Sequence, residues 1–552
     1  MRGSRLLVLL ALSVALGIPA LGQDVIRPAE GQELDHIHTR FRWKAFDDLV
    51  GGYFLQVFED PGVGSPIAPG NLAIQKAIPG VDPRMILKEG LEFGKSYAWR
   101  VLALIGPAPG MRRSSPIHRF TTKALPTFLP VITVTRPPGA GPMQPGLTLF
   151  NRRIGGDPLP GGKGYLIAVD ENGKYVWFYE YAPRRITDVR QLDDGRFYWL
   201  MNAGPNSSEV GRAVEMTLDG QVTWISPSGQ GTLHAHHEVS RMPNGNGLLL
   251  TFDKREFPGL TPSYWEGDRI VEVERHTKEV IGTWSAFDHY SMADYFQSGP
   301  GGDWTHGNSA TFNELDGSVY YSARHLGRIT RIDWATKTVV YNMGFDYPSG
   351  DATFGHGLFS HQHAPQVLSN GNLLLFDNGN YLLPQSDPRQ SAAIEFSFND
   401  PVAPTSTQVA WRYDLVDDLG DPVFSAFLGD ADRLANGNTL ITAGPNVLIY
   451  EVDANSQLVW KIKVGTGQPY GSMYRAERID SLVKDTPGDI DDDWDLDLRD
   501  LAMFQNHFQS AVTGFPQKLS DMDSDGVLDN ADFDLFFNWM TGPANLLALL
   551  PL

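Results

Sequence analysis

The sequence predicts a mainly β chain: a six-bladed β-propeller with an N-terminal β-sandwich and a small C-terminal α-helical calcium-binding module. Three observations predict it. A strand–turn–strand pattern recurs six times between residues 146 and 482. Asn-Gly and Asp-Gly pairs recur inside those repeats. An acidic segment at 486–540 spaces its aspartates as calcium loops do.

The repeat is the main signal. An apolar strand, a turn and a second strand occur at 165–169 with 176–178, 213–216 with 222–224, and 270–273 with 284. Further copies lie at 329–332 with 339–341, 393–396 with 409–411, and 447–450 with 458–460. Between them come turns such as Asp194-Gly195, Asn244-Gly245, Asp316-Gly317, Asn370-Gly371 and Asn436-Gly437. Asn-Gly and Asp-Gly tolerate the positive φ that tight hairpins need. Four strands per copy, repeated six times, is propeller arithmetic. A β-solenoid or two sandwiches would be the alternative, and seven blades the alternative count. Trp177, Trp224, Trp284, Trp411 and Trp460 fall in the repeats and are expected to be core residues.

Before the repeat, residues 24–123 alternate with period two around Phe41-Arg42-Trp43, Tyr53 to Val57 and Tyr97 to Val101. One small β-sandwich is expected there, and the pattern resembles a fibronectin type III domain. Residues 126–145, rich in Pro, Gly and Thr, are a linker or the first propeller edge. After the repeat, Asp489, Asp491, Asp493, Asp495, Asp497 and Asp500 take positions 1, 3, 5, 7, 9 and 12 of one loop. Asp521, Asp523, Asp525, Asp529 and Asp532 take positions 1, 3, 5, 9 and 12 of a second. Hard oxygen ligands at this spacing suit a structural calcium. Gly526 fills position 6 of the second loop, whereas the first carries Trp494 there. Each loop runs into an apolar helix-like stretch, 501–508 and 533–540. The pair resembles a type I dockerin, which implies a cohesin-like protein partner. A solvated acidic tail is the alternative.

Composition narrows the rest. At 552 residues the chain exceeds one core, so two to four domains are expected. It has no cysteine, which excludes disulfides and thiol nucleophiles. Of the net charge of −20, residues 485–540 hold fourteen Asp against Arg499 and Lys518. The acidity therefore belongs to the tail. No basic face suggests nucleic acid. Residues 1–22 have the form of a signal peptide: Arg2 and Arg5, an apolar run from Leu6 to Leu16, then Ala20-Leu21-Gly22. The expectation is a secreted or periplasmic protein with no transmembrane span after signal removal. A membrane anchor is the alternative.

Chemistry concentrates in the histidines. Ten of fourteen lie between His234 and His363. His237 and His363 each stand seven residues before an Asn-Gly turn, and His306 stands ten before Asp316-Gly317. Equivalent positions of successive blades face the central channel, so three blades would aim an imidazole at one axis. Arg324 closes the strand after Gly317 and reaches the same end. Neutral imidazole is a nucleophile near pH 7, and arginine's fork matches sulfate or phosphate oxygens. With no ring of carboxylates nearby, this set suits transfer of a tetrahedral anion.

His236-His237-Glu238 before Pro243-Asn244-Gly245, Asp303-Trp304-Thr305-His306-Gly307-Asn308-Ser309, Ser322-Ala323-Arg324-His325, and Gln362-His363 before Phe376-Asp377-Asn378-Gly379 resemble the bacterial arylsulfotransferases. The likeness covers most of 146–460. It implies a six-bladed propeller that moves a sulfuryl group from an aryl sulfate donor to a phenolic acceptor without the nucleotide PAPS or any catalytic cofactor. It implies that His363 becomes transiently sulfated while Arg324, His306 and His237 hold the sulfuryl oxygens. His236 and Asn308 are implied to bind substrate. Two other readings stay open. His234-x-His236 and His361-x-His363 have the spacing of a zinc or copper pair for a metal-dependent hydrolase or lyase. A non-catalytic propeller scaffold for binding is the other.

Overall fold

A computed structural model of the chain describes residues 26–539 apart from 63–66, 81, 107–110, 155–162, 182–184, 203–210, 229–233, 296–301, 382–388, 467–470, 485–486, 491–495, 497, 509–516 and 524. The expected leader at 1–22 lies outside the described residues, as do Asp491, Asp493, Asp495 and Asp497.

The chain is mainly β. Its centre holds successive antiparallel sheets, each built from strands consecutive in sequence. The second is Arg185–Gln191, Phe197–Asn202, Arg212–Met216 and Val222–Ile225, and the third is Ala235–Arg241, Gly247–Glu256, Tyr264–Val273 and Val280–Ser285. The fourth is Gly307–Asn313, Ser318–Ala323, Arg328–Asp333 and Thr338–Gly344. The fifth is His363–Val367, Leu373–Asp377, Ala392–Phe398 and Thr407–Asp414. The sixth is Asp430–Arg433, Thr439–Ala443, Leu448–Val452 and Leu458–Val464.

Both ends of this region close it with hydrogen bonds. The first sheet comprises Leu147–Ile154, Lys163–Val169 and Tyr175–Tyr181, and its inner edge is completed from the far end of the chain by Ala476–Ile479. In turn Ile132–Thr135 adds an outer strand to the sixth sheet. Neighbouring sheets share hydrophobic clusters: Leu249 and Val271 pack with Tyr198 and Trp224, Leu250 and Trp284 with Val319 and Tyr321, Tyr320 and Ile329 with Leu373 and Ile394. Phe376 packs with Tyr450, and Phe150 and Ile167 with Ile449 and Trp460, so the sixth sheet meets the first. Trp224, Trp284 and Trp460 are buried in these clusters, Trp177 is buried against the N-terminal strands, and Trp411 is half-buried beneath the Arg433 guanidinium, 4.9 Å from its ring. The turns repeat with one more contact. Asn246, Asn372 and Asn438 each donate a side-chain hydrogen bond to a glutamate on the third strand of their sheet, Glu272, Glu395 and Glu451, at 2.7, 2.6 and 2.7 Å. Gly245 and Gly371 take the expected positive φ, 82° and 83°.

The N-terminal region forms a six-stranded sheet facing the pair Thr39–Arg42 and Arg84–Leu87, around Phe41, Trp43, Tyr53, Trp99 and Phe120. This core is continuous with Trp177, Phe197 and Trp199 of the first two central sheets. Residues 35–37 also pair with the outer strand there: Ile37 N–H donates to the Val176 carbonyl at 2.9 Å. The strands on either side of residue 123 thus share one hydrophobic core. At the other end, helices Leu498–His507 and Asn530–Trp539 bury Leu501, Phe504 and Phe536 with Ile490 and Leu496. No helix of the described residues is long and apolar enough to cross a membrane.

Candidate active site

The innermost strands bring the histidines together, and they do so through irregular backbone. Pairing register shifts between Ala235 and Val239, between Gly307 and Ser309, and between His363 and Gln366. Such bulges re-aim side chains. His237 and His306 sit at φ 58° and 44°. Left-handed backbone at a non-glycine residue costs about 1–3 kcal/mol and gathers at functional sites.

His363 is buried, 1% exposed. Its Nδ1 lies 2.6 Å from Asn378 Oδ1 and 3.2 Å from the His361 carbonyl. Both partners accept, so Nδ1 carries the proton and Nε2 keeps its lone pair. The orientation of the Asn378 amide is fixed by its nitrogen, which donates to the Ser425 and Leu428 carbonyls at 2.6 and 2.9 Å. Burial and then the Arg324 charge hold the His363 imidazole down to about 3, so it stays neutral. The same two causes hold His361 down to about 2. Arg324 is itself lowered to about 10 by burial and remains a cation. One of its terminal nitrogens donates to the Ala426 carbonyl at 3.1 Å, while its Nε is buried without a hydrogen-bond partner among the described residues.

His237, His306 and His325 complete the cluster. The His237 and His306 rings are 5.0 Å apart, and His237 lies 6.1 Å from Tyr474. Burial, His306 and His236 push His237 well below its ordinary value. His306 Nδ1 is 2.5 Å from Asp303 Oδ2, and His325 Nδ1 donates to the Asp303 carbonyl at 2.9 Å. Burial first, then the neighbouring His306, lowers His325 to about 4.

His236 points elsewhere. It is 3% exposed, stacks on Phe252 at 3.9 Å and meets Asp268 Oδ1 through Nε2 at 3.1 Å. Asn308 is fully buried, and its amide donates to the Gln362 carbonyl at 2.7 Å, one residue before His363. Two carboxylates, Asp303 and Asp268, stand directly behind imidazoles. Asp303 opens the Asp303-Trp304-Thr305-His306 block, and Asn378 lies inside the Phe376-Asp377-Asn378-Gly379 stretch, so both were within reach of a motif reading. Asp268 belongs to no motif, and its tie to His236 spans 32 positions of sequence.

Beneath the histidines Arg475 ties the sheets together. Its guanidinium contacts Asp188 at 3.1 Å, Glu238 at 3.0 Å and Asp430 at 3.1 Å. Glu238 also accepts from the Ala310 N–H at 3.0 Å, and Tyr474 donates to the Asn308 carbonyl at 2.7 Å. A cavity of about 110 Å³ lies at this level, lined by Arg190, Glu238, Asp430 and Arg475 among others.

Ligand-type atoms of Asp303, His306 and His325 fall within 4.8 Å of one another. Yet the two rings are stacked, 4.5 Å apart with 27° between planes. Their in-plane lone pairs run side by side and do not converge as tetrahedral zinc requires. The pairs His234–His236 and His361–His363 are no better placed. His234 packs edge-on against Phe252, and the Nδ1 of His363 is taken by Asn378.

In the tail, Asp521, Asp523 and Asp525 place carboxylate oxygens within 4.8 Å of one another. Asp532 accepts from the Met522 N–H at 2.7 Å, and in the first loop Asp500 accepts likewise from Ile490 at 2.6 Å. Asp521 Oδ1 is buried with no hydrogen-bond partner among the described residues. An all-oxygen donor set with an orphaned buried carboxylate oxygen fits a calcium ion.

The arylsulfate sulfotransferase AssT of Escherichia coli O6:H1 (strain CFT073) is 22% identical over 403 residues, covering 59% of this chain. The match spans 62% of that relative's own length, under two thirds of it. Among solved structures, a protein of unknown function from Bacteroides caccae is 14% identical, covering 58% of this chain and 93% of its own, with a TM-score of 0.36. A catalytically inactive virginiamycin B lyase from Staphylococcus aureus is 10% identical, covering 59% and 87%, with a TM-score of 0.31. A model of the arylsulfotransferase family matches residues 134–475, from the strand that clasps the sixth sheet to the arginine beneath the histidines, and the chain belongs to that family.

Proposed function

We propose that the chain is an aryl sulfotransferase that moves a sulfuryl group from an aryl sulfate to a phenol through a sulfated His363, on a six-bladed propeller. The observation that carries the reading is the fixed tautomer of His363, with Nδ1–H held by Asn378 and Nε2 bare beside the Arg324 charge. In the first step the Nε2 lone pair forms a bond to sulfur, the S–O(aryl) bond breaks, and the phenolate leaves with its electron pair. Asn378 then accepts from a ring carrying positive charge, which strengthens that hydrogen bond. In the second step the acceptor oxygen bonds to sulfur and the N–S bond breaks, returning its pair to Nε2. No nucleotide enters this cycle.

Arg324 and His306 hold the sulfuryl oxygens as charge builds on them. Asn308 holds the backbone that carries His363 through Gln362. Replacing Arg324 with lysine keeps one charge but loses the fork, and it is expected to lower kcat/KM for 4-nitrophenyl sulfate about 10²–10³-fold. Activity within a factor of about three would remove Arg324 from this role.

The tail is read as a calcium-binding, dockerin-like module on an exported protein, with a cohesin-like protein as the partner its resemblance implies. Asp521, Asp523, Asp525 and Asp532 would hold the ion in the second loop, where it neutralises carboxylates that otherwise repel. Chelation is expected to lower the unfolding temperature of the tail helices, and Asp521→Ala to abolish the calcium response. Transfer by the centre should persist in both cases, as measured by calorimetry with a parallel rate assay.

A further inference from the structure

We propose that Asp268 and His236 are positioning residues forming a proton relay behind His237, so that His237 Nε2 protonates the leaving phenolate and deprotonates the acceptor phenol. This rests on the sulfuryl-transfer reading and supplies its acid–base half.

Close contacts lay out the relay step by step. Asp268 Oδ2 is filled by the Thr305 and Tyr321 hydroxyls and the Gly307 N–H. Oδ1 lies 3.1 Å from His236 Nε2, an ion-pair distance that is favourable when that nitrogen carries a proton. Burial alone would raise the Asp268 carboxyl, but these hydrogen bonds and the His236 ring hold it below its ordinary value, as a carboxylate. Phe252 stacks on the His236 ring and keeps it in this plane. The two imidazoles then meet nitrogen to nitrogen, His236 Nδ1 to His237 Nδ1 at 2.8 Å. One proton occupies that gap, and its side decides what His237 Nε2 does.

With the gap proton on His236, that ring is an imidazolium against Asp268, and His237 carries its proton on Nε2. This is the state that meets the donor. As the S–O bond breaks, Nε2–H passes to the phenolate oxygen, the gap proton shifts to His237 Nδ1, and both rings end neutral. With Nε2 now bare, the acceptor phenol loses its proton to it as oxygen attacks sulfur. The gap proton returns to His236, and one proton has moved from acceptor to leaving group. The groups facing His237 are His306, His363 and Arg324, all unfavourable to a cation there. The relay carries the positive charge away from that ring and onto the one Asp268 contacts. His237 therefore differs from Arg324 and His306: its work is on protons, while theirs is on the sulfuryl oxygens.

The test is a leaving-group series. Wild type, His236→Gln and Asp268→Asn would be compared on 4-nitrophenyl, phenyl and 4-methylphenyl sulfate with one fixed acceptor, following each released phenol chromatographically. Nitrophenolate departs with little help, so a loss of about tenfold is expected there. A loss of about 10²–10³-fold is expected for 4-methylphenyl sulfate, because a basic phenolate needs the proton. Equal loss on all three donors, or none, overturns the relay, since a structural role would scale every donor alike. Should Asp268→Asn fail to fold, His236→Gln carries the same comparison. If wild type transfers from none of the three, the sulfotransferase reading fails and the relay with it; transfer with parallel slopes fails the relay alone.

Discussion

Replacing His363 with alanine is expected to lower phenol-dependent release from 4-nitrophenyl sulfate by about 10⁴-fold or more, because the transferred group has no other resting place. The neighbouring imidazoles are poor substitutes. His306 is engaged with the sulfuryl oxygens, and the Asn378 acceptor that fixes the nucleophile's tautomer serves the ring at position 363. Asparagine at 363 should be as inactive as alanine, since it restores a hydrogen bond but not a nucleophile. The pH profile gives a second sign. A lowered pKa means that His363 is neutral above about 3, so mild acid does not consume the nucleophile. Single-turnover sulfation from a good donor is therefore expected to stay flat between about pH 5 and 7. Activity in His363→Ala within tenfold of wild type would remove the residue from the reaction.

Arg475→Met is the second large effect, this time on stability. The guanidinium is 3% exposed and faces Asp188, Glu238 and Asp430, each buried to 2% or less. Burial pushes the carboxyls of Asp188, Glu238 and Asp430 upward, and the Arg190 charge offsets it in part. Removing one partner of a buried charge network leaves the others uncompensated, which costs about 3–5 kcal/mol. The loss should appear as a lower denaturant midpoint. Because Arg475 adjoins Tyr474, whose hydroxyl holds the Asn308 carbonyl, the variant should also lose activity below its unfolding midpoint. A change under about 1 kcal/mol would mean that the hub does not fasten the closing strand.

The repeats were legible because each copy carries the same local chemistry. The Asn-Gly turns need positive φ, and apolar alternation marks the strands, so sheets two to six could be counted from sequence. The closure of the first sheet was less visible. Ala476–Ile479 pairs with Leu147–Ile154 across more than 300 residues, and nothing local announces such a pairing. The site divides the same way. The seven-residue register picked His237 over His236, and the structure turns His237 toward His306 while His236 lies against Phe252. The turn spacing could not reveal the bulges that aim these rings, since a bulge adds a residue without changing the hydrophobic pattern. Asp268, on a third strand of its sheet, becomes relevant only when Phe252 and His236 are stacked beside it.

The central claim, a sulfated His363, is tested most directly by trapping it. The protein would be mixed with excess 4-nitrophenyl sulfate and no acceptor, digested at alkaline pH, and its peptides examined by mass spectrometry. The prediction is one sulfuryl group per chain, on the peptide containing His363, that disappears when phenol is added before digestion. Transfer to phenol without any such adduct, or an adduct on a different residue that phenol discharges, would contradict it.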